Sequence, residues 1–147
     1  MKYRPHLIIV PTKRDKIIQL LSYLLLVTTY VMAIWIYSTS PEKIPYHFNT
    51  HGLPDIMETK RYIFIFPIIA TSIFLILNFL FKRPHKYNYS QELDEDNVEE
   101  NYRRGILLLR VLDLVLIVVA IAIMYDIYIG VQHHFHPEKD IIPAINS

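Results

Sequence analysis

The sequence predicts an all-α integral membrane protein with three transmembrane helices and a structured extracytoplasmic loop. Two long runs contain no charged residue, and a third contains few. The charged residues cluster between these runs instead of being interspersed as in a soluble protein. The chain has 147 residues, the length of one domain, so residues 1–147 are treated as a single membrane domain. The absence of cysteine excludes disulfides, thiol nucleophiles and thiolate metal sites.

The first apolar run covers about residues 17–37 and carries no charge. Its length suffices to cross roughly 30 Å of hydrocarbon, where backbone groups must be paired within a helix. A buried helix of a soluble protein and a cleaved signal peptide are the alternatives. The run exceeds the usual apolar region of about 7–15 residues in a signal peptide, and no A-x-A pattern follows it. We therefore expect a retained membrane anchor.

The second and third runs cover about residues 62–81 and 106–130. The third contains three intramembrane polar residues, Arg110, Asp113 and Asp126. Arg110 and Asp113 are three residues apart, so they share a helix face and could pair. Two interpretations remain open. The pair is partly solvated at one end of the span, or Asp113 faces the bundle interior and binds a partner or relays protons. Asp126 is expected near the outer interface.

The distribution of lysine and arginine predicts the orientation. Ten of these residues lie in the N-terminal segment and in the connector 82–105, against four in the loop 38–61 and the tail 132–147. Cytoplasmic segments carry the excess of basic residues. We therefore expect a multi-pass protein of the cell membrane with a cytoplasmic N-terminus, a cytoplasmic loop 82–105, an outer loop 38–61 and an extracytoplasmic C-terminus.

The loop between the first two spans is rich in residues that fix backbone shape. Prolines favour extended geometry in the residues before them. Glycine adopts left-handed turns easily, and Asn or Asp side chains hydrogen-bond to nearby backbone. The pattern predicts a compact loop that ends in a basic residue at the membrane edge. The expected binding or loop-structuring residues are Pro45, His47, Asn49, Gly52, Asp55 and Lys60.

The loop also resembles a known motif. The stretch PEKIPYHFN at 41–49 is followed by Gly52, Pro54-Asp55 and Lys60. This resembles a bacterial membrane family of unknown function with an I-P-x-H-F-N-x-x-G-x-P-D loop, found at the N-terminus of SdpI-type immunity proteins of Gram-positive bacteria. The resemblance implies a multi-span protein with this loop outside. It further implies immunity to, or sensing of, an extracellular toxic peptide, with signalling to a cytoplasmic partner.

Histidines supply an alternative hypothesis of a metal-binding membrane protein or metalloenzyme. His47 and His51 lie in the loop, and His133, His134 and His136 lie in the tail on the same predicted side. Clusters of three or four imidazole or carboxylate ligands bind zinc or copper. The H-E-x-x-H pattern of zinc proteases is absent. The other interpretation is an exposed histidine-rich tail and a loop histidine bonded within its own turn.

The connector between the second and third spans contains QELDEDNVEE at 91–100. We expect these acids either to begin the third helix, where the helix dipole favours them, or to form a solvated surface. A sharper hypothesis is a docking site for a basic cytoplasmic regulator or another membrane partner.

Three functional hypotheses follow. The first is a non-enzymatic immunity or sensing protein, the second is the metal-binding protein or metalloenzyme described above, and the third is an accessory subunit of a transporter. No nucleophile triad or phosphate-binding loop is present. The net charge of +1 gives no basis for direct nucleic-acid binding. Three helices enclose little volume, so we expect an oligomer or a complex in the lipid bilayer.

Overall fold

A computed structural model of the protein describes residues 4–51 and 54–135. Within these ranges the chain is mostly helical and contains one small antiparallel sheet. Short 3-10 turns at Lys60–Phe64 and Pro84–Lys86 border the second helix. In chain order, the main elements are α1 (Lys13–Thr39), β1 (Lys43–Phe48), β2 (Pro54–Thr59), α2 (Ile65–Phe81) and α3 (Val98–Phe135).

Three helical segments are long and apolar enough to cross a membrane, namely Lys13–Thr39, Lys60–Phe81 and Val98–His133. Their outward faces carry large exposed apolar side chains, and Leu108, for example, is 69% exposed. Contiguous apolar exposure of this extent is unfavourable in water and favourable in lipid. The predicted class, an all-α membrane protein with three spanning helices, is confirmed, and the two-stranded sheet is an addition to it.

The sequence before α1 sets where that helix begins. The backbone N–H and the hydroxyl of Thr12 both donate to Asp15 Oδ2, at 2.8 and 2.7 Å. The Asp15 backbone N–H donates in return to Thr12 Oγ1 at 3.2 Å. This reciprocal arrangement is a capping box, which satisfies backbone donors that the first helical turn leaves unpaired.

Helix α3 begins at Val98, earlier than the span expected from the apolar run. Asp94 Oδ1 accepts the backbone N–H groups of Asp96 and Asn97 in the turn that leads into it. Glu99 and Glu100 occupy the first helical turn, where negative charge is favoured. The 38 residues of α3 correspond to a length of roughly 57 Å. The helix is therefore longer than a hydrocarbon core of roughly 30 Å.

Backbone contacts divide the chain into two compact units. The polar unit, as we call it, consists of the described residues up to Leu26 together with Ile69–Val118. The hairpin unit consists of Val27–Ile68 together with the described residues from Val119 onward. Each unit has its own set of buried side chains.

The hairpin unit contains an apolar core that joins its helices to the sheet. Ile44 of β1 is fully buried in this core. The Tyr37 and Phe64 rings pack against it, with ring centres 5.6 Å apart. The core therefore fixes the base of the hairpin to the helices. Its buried members are Ala33, Ile36, Ile44, Ile63, Met124, Ile127 and Val131.

Strands β1 and β2 form an antiparallel hairpin in which Lys43 lies opposite Thr59 and Phe48 opposite Pro54. The register shifts on both sides of His47. The segment expected to be a compact loop thus contains two β-strands joined by a turn. The extended geometry that prolines impose suits an edge strand, and each strand here has only one partner among the described residues.

In the polar unit, the chain before α1 packs against the connector between α2 and α3. Arg4 Nη1 donates to the Tyr87 carbonyl at 2.6 Å. The buried Tyr102 donates its hydroxyl to the Pro5 carbonyl at 3.1 Å. Tyr89 stacks between Tyr87 and Tyr102. These contacts give the connector an ordered aromatic core.

Candidate functional site

A chain of polar side chains links the three helices of the polar unit. Arg110 on α3 is only 6% exposed, and its Nη1 donates to Gln19 Oε1 on α1 at 2.7 Å. Gln19 Nε2 donates in turn to Asn78 Oδ1 on α2 at 2.7 Å. Hydrogen bonds between side chains contribute to helix association where lipid removes the hydrophobic driving force. These three residues, with Asp15, Ser22 and Asp113, form what we call the polar cluster.

The counter-ion of Arg110 comes from α1. Arg110 Nε lies 3.7 Å from Asp15 Oδ1, and Nη1 donates to the Asp15 carbonyl at 3.4 Å. The guanidinium carbon lies 4.6 Å from the centre of the Phe81 ring, within cation–π range. The pairing of Arg110 with Asp113 that the sequence suggested is therefore wrong, because the ion pair of Arg110 is with Asp15. Arg110 reaches across to the start of α1 instead of along its own helix.

Asp113 occupies a separate position in the polar cluster. Its side chain is 2% exposed and shares a hydrogen bond with Ser22 of α1. Its Oδ1 has no hydrogen-bond partner in the part of the chain that the structure describes. Asp113 therefore faces the interior of the polar unit. Whether it binds a partner or relays protons stays a prediction. Asp126, in the hairpin unit, is exposed.

The hairpin holds several of the predicted loop residues. His47 Nδ1 lies 2.6 Å from Asp55 Oδ1, so this pair links β1 to β2, although both side chains are substantially exposed. Asn49 Oδ1 accepts the backbone N–H of His51 at 2.9 Å, which closes a local turn. Gly52 lies outside the described residues. The shape of the hairpin thus depends on residues that its sequence signature contains.

The base of the hairpin is fixed by two further predicted residues. Lys60 Nζ donates to the Ser40 carbonyl at 3.4 Å and lies 4.9 Å from the centre of the Tyr37 ring. Pro45 is buried, opposite Met57. All described members of the predicted set therefore have structural contacts, and binding by any of them stays a prediction.

The predicted metal ligands are only partly described. His47 and His51 are exposed on the hairpin, and His133 is exposed near the end of α3. The side chain of His134 and the whole of His136 lie outside what the structure describes. Within residues 4–51 and 54–135, no group of three His, Asp or Glu side chains is placed to hold a metal ion. The zinc hypothesis stays a prediction.

The acidic connector has internal partners. Glu99 pairs with Arg103, and Glu100 pairs with Arg104, each one helical turn apart. Such exposed pairs contribute little to stability. They leave Glu92, Glu95 and Asp96 exposed on the connector. Docking of a basic regulator at this segment stays a prediction.

Titratable rings surround the connector. The rings of His6 and His85 lie 3.8 Å apart. Desolvation, followed by the charges of His6, Lys86 and Arg83, lowers the pKa of His85. Burial raises the pKa of Tyr87 to about 12. The Tyr87 hydroxyl donates to the Leu80 carbonyl at 2.8 Å, so it acts as a neutral donor in the physiological range.

The fold and these sites define a multi-pass membrane protein with a β-hairpin between its first two helices. The family description "Domain of unknown function (DUF1648)" matches residues 24–71. This range runs from within α1 through the hairpin and into α2. No curated protein matches the chain, and no solved structure matches it. The region of similarity therefore contains the hairpin and excludes Arg110 and Asp113.

Proposed function

We propose that this protein is a non-enzymatic protein of the cell membrane that recognises an extracellular toxic peptide and provides immunity to it or senses it. The resemblance of the loop to SdpI-type proteins of Gram-positive bacteria supports the proposal. The excess of basic residues in the N-terminal segment and connector supports an external hairpin. The family match covers the same hairpin.

The observation that carries the proposal is the asymmetry of the hairpin. One side is held by buried Ile44 and by Lys60. On the other side, His47 and Asp55 expose a polar pair, and neighbouring Ile56 is 47% exposed. A fixed backbone with exposed polar and apolar groups suits recognition of a peptide, because little ordering entropy is lost on binding.

Signalling is the second part of the proposal. The exposed acids of the connector offer a surface for a basic cytoplasmic regulator, and exposed apolar helix faces offer room for a membrane partner or a second copy. Recognition outside would bias a state that this regulator reads inside. Immunity by sequestration of the peptide would require only the hairpin.

The experiment compares survival of cells with and without the gene during challenge with the secreted peptide fraction of a producing strain. We expect the deletion strain to be killed at a lower dose, and the wild-type gene to restore survival. Ile56→Ser should fail to restore it, because the substitution removes exposed apolar surface while leaving the core intact.

Glu42→Gln is the matched control, since Glu42 is exposed beside β1 and its side chain has no described contact. It should restore survival fully, and both variants should accumulate in the membrane as the wild type does. Equal killing of the deletion and wild-type strains would refute the immunity proposal.

A further inference from the structure

A cavity of about 400 Å³ opens within the polar unit beside the polar cluster. Its volume lies in the range of about 300–1,000 Å³ that is usual for small-molecule sites. The polar part of its lining consists of Asp15, Gln19, Asn78, Lys82 and Arg110. The cavity combines these groups with an apolar wall from the chain before α1.

Two cations face this cavity. Both hydrogen bonds of Arg110 to described residues run from Nη1, and Nε is buried beside Asp15 Oδ1. A guanidinium has more N–H donors than these two bonds use. Lys82, just beyond the end of α2, is exposed and forms no ion pair with any described residue. Unused cationic donors of this kind suit an anion such as a phosphate.

The carboxylate in the cavity wall does not cancel both cations. Asp15 Oδ2 already accepts two hydrogen bonds from Thr12 at the start of α1. Its Oδ1 lies 3.7 Å from Arg110 Nε, which is a loose ion pair. With Lys82 and Arg110 against Asp15, the cavity has an excess of one positive charge.

The apolar wall indicates which kind of anion fits. Ile8 lines the cavity and is 94% exposed, although it is a large apolar residue. Ile9 and Ile106 also line the cavity. A free phosphate would gain nothing from such a wall, whereas an acyl chain beside its headgroup would cover it.

The position of the cavity along the helices agrees with a lipid headgroup. Asp15 lies in the first turn of α1, and Lys82 directly follows α2. Ends of membrane-spanning segments lie at the level of the headgroups, and basic pockets there bind anionic lipids. We propose that this cavity binds the phosphate of an anionic phospholipid, with Arg110 and Lys82 as its ligands and Ile8 against the acyl chain.

Native mass spectrometry of the purified protein in detergent tests the proposal with three probes: phosphatidylglycerol, phosphatidylcholine and sn-glycerol 3-phosphate. We expect retention of phosphatidylglycerol and little retention of the other two. Equal retention of the two lipids would overturn the charge argument. Retention of sn-glycerol 3-phosphate as strong as that of phosphatidylglycerol would assign the site to a soluble phosphate and overturn the lipid proposal.

Lys82→Gln should weaken phosphatidylglycerol binding about fivefold, the effect of one basic residue near an anionic surface. Lys86→Gln is the matched control, because Lys86 is exposed on the same connector and does not line the cavity. Lys82 is exposed, so its variant tests the site even where a variant of the buried Arg110 does not fold. Equal affinities for Lys82→Gln and the wild type would overturn the proposal.

Discussion

The two units of the protein are stabilised by different kinds of contact. The hairpin unit has a continuous apolar core beneath β1, to which Ile44 contributes a strand residue. The polar unit instead buries Arg110 and Asp113 and links its helices through side-chain hydrogen bonds. In a membrane, apolar side chains alone give helices little preference for contact with each other over contact with the lipid. The comparison shows that polar contacts select partners among helices, whereas apolar packing anchors a sheet.

The largest effect is expected at the cation of the polar cluster. Arg110→Ala would leave Asp15 and Gln19 without their buried partner, and breaking a buried pair on one side typically costs about 3 kcal/mol or more. Unfolding of the purified protein in mixed micelles, followed by far-ultraviolet circular dichroism of its helices, measures this loss. Arg104→Ala is the control, because its exposed pair with Glu100 should contribute less than about 1 kcal/mol. Equal stabilities of the two variants would show that the polar cluster does not hold the helices.

The next effect is expected in the hairpin unit. Ile44→Ala removes a fully buried side chain from the core beneath β1, and such substitutions cost about 2 to 5 kcal/mol. Amide exchange should therefore increase across β1 and β2. Ile56→Ala, on the exposed side of the same hairpin, should change exchange little. A hairpin that remains protected in Ile44→Ala would show that its hydrogen bonds suffice without the core.

A smaller effect is expected where the connector approaches α3. A Cβ on Gly105 would lie 2.9 Å from Tyr87 Cδ2 and 3.3 Å from the Tyr89 hydroxyl. Tyr87 cannot move freely, because its hydroxyl bonds to the Leu80 carbonyl. Overpacking should outweigh the gain in helix propensity, so Gly105→Ala should destabilise by about 1 kcal/mol.

Thermal unfolding of Gly105→Ala measures this difference. The double variant Gly105→Ala/Tyr87→Leu separates the clash from other effects, since leucine is smaller than the tyrosine ring. A thermal-unfolding midpoint for Gly105→Ala above that of the wild type would show that the Tyr87 and Tyr89 side chains can shift to accommodate the added methyl group.

The smallest effect is a pH dependence in the polar unit. The pKa of His85 is lowered from its usual 6.5, so the unfolded chain binds its proton more readily than the folded chain. The contribution of neutral His85 to stability is therefore fully present above the pKa of the unfolded chain. It is lost as the pH falls through the lower pKa of the folded chain. The amide protection factors at residues 85–87, which are corrected for the intrinsic pH dependence of exchange, should fall as the pH is lowered from about 7.5 to about 5.5.

His85→Gln should abolish this pH dependence, and His133→Gln should leave it unchanged, because His133 belongs to the hairpin unit. A pH dependence that persists in His85→Gln would assign it to another group.

The spans and the polar cluster differ in how far the sequence predicts them. Helices of this length follow from uncharged runs, because lipid leaves the backbone no other way to pair. Arg110 and Asp113 stand out as charges within an apolar run. Their partners Gln19 and Ser22 do not, because polar contact between helices depends on rotation and depth, which no local pattern encodes. In the sequence, Asp15 looks like any charged residue that borders a membrane span. Only its distance to Arg110 in the structure identifies it as an ion-pair partner.

The hairpin was predictable from a signal that prolines obscured. Pro45 within a short run weakens a strand prediction, since proline cannot donate a ladder hydrogen bond. Two extended segments flank Asn49, Thr50, His51 and Gly52, however, and such polar and glycine-containing turns are typical of hairpins. The exposed pair of His47 and Asp55 depends on register, which shifts at His47 and could not be inferred.

Asp15 both caps α1 and neutralises Arg110, and this double role restricts how the first helix moves in the membrane. A uniformly apolar cylinder can spin about its axis and slide along it at little energetic cost. Advancing α1 by one residue would turn Asp15 through about 100° and displace it along the axis. The carboxylate would then leave the guanidinium behind. The single carboxylate of Asp15 in the first turn of α1 thereby restricts both the rotation of the helix about its axis and its position along that axis.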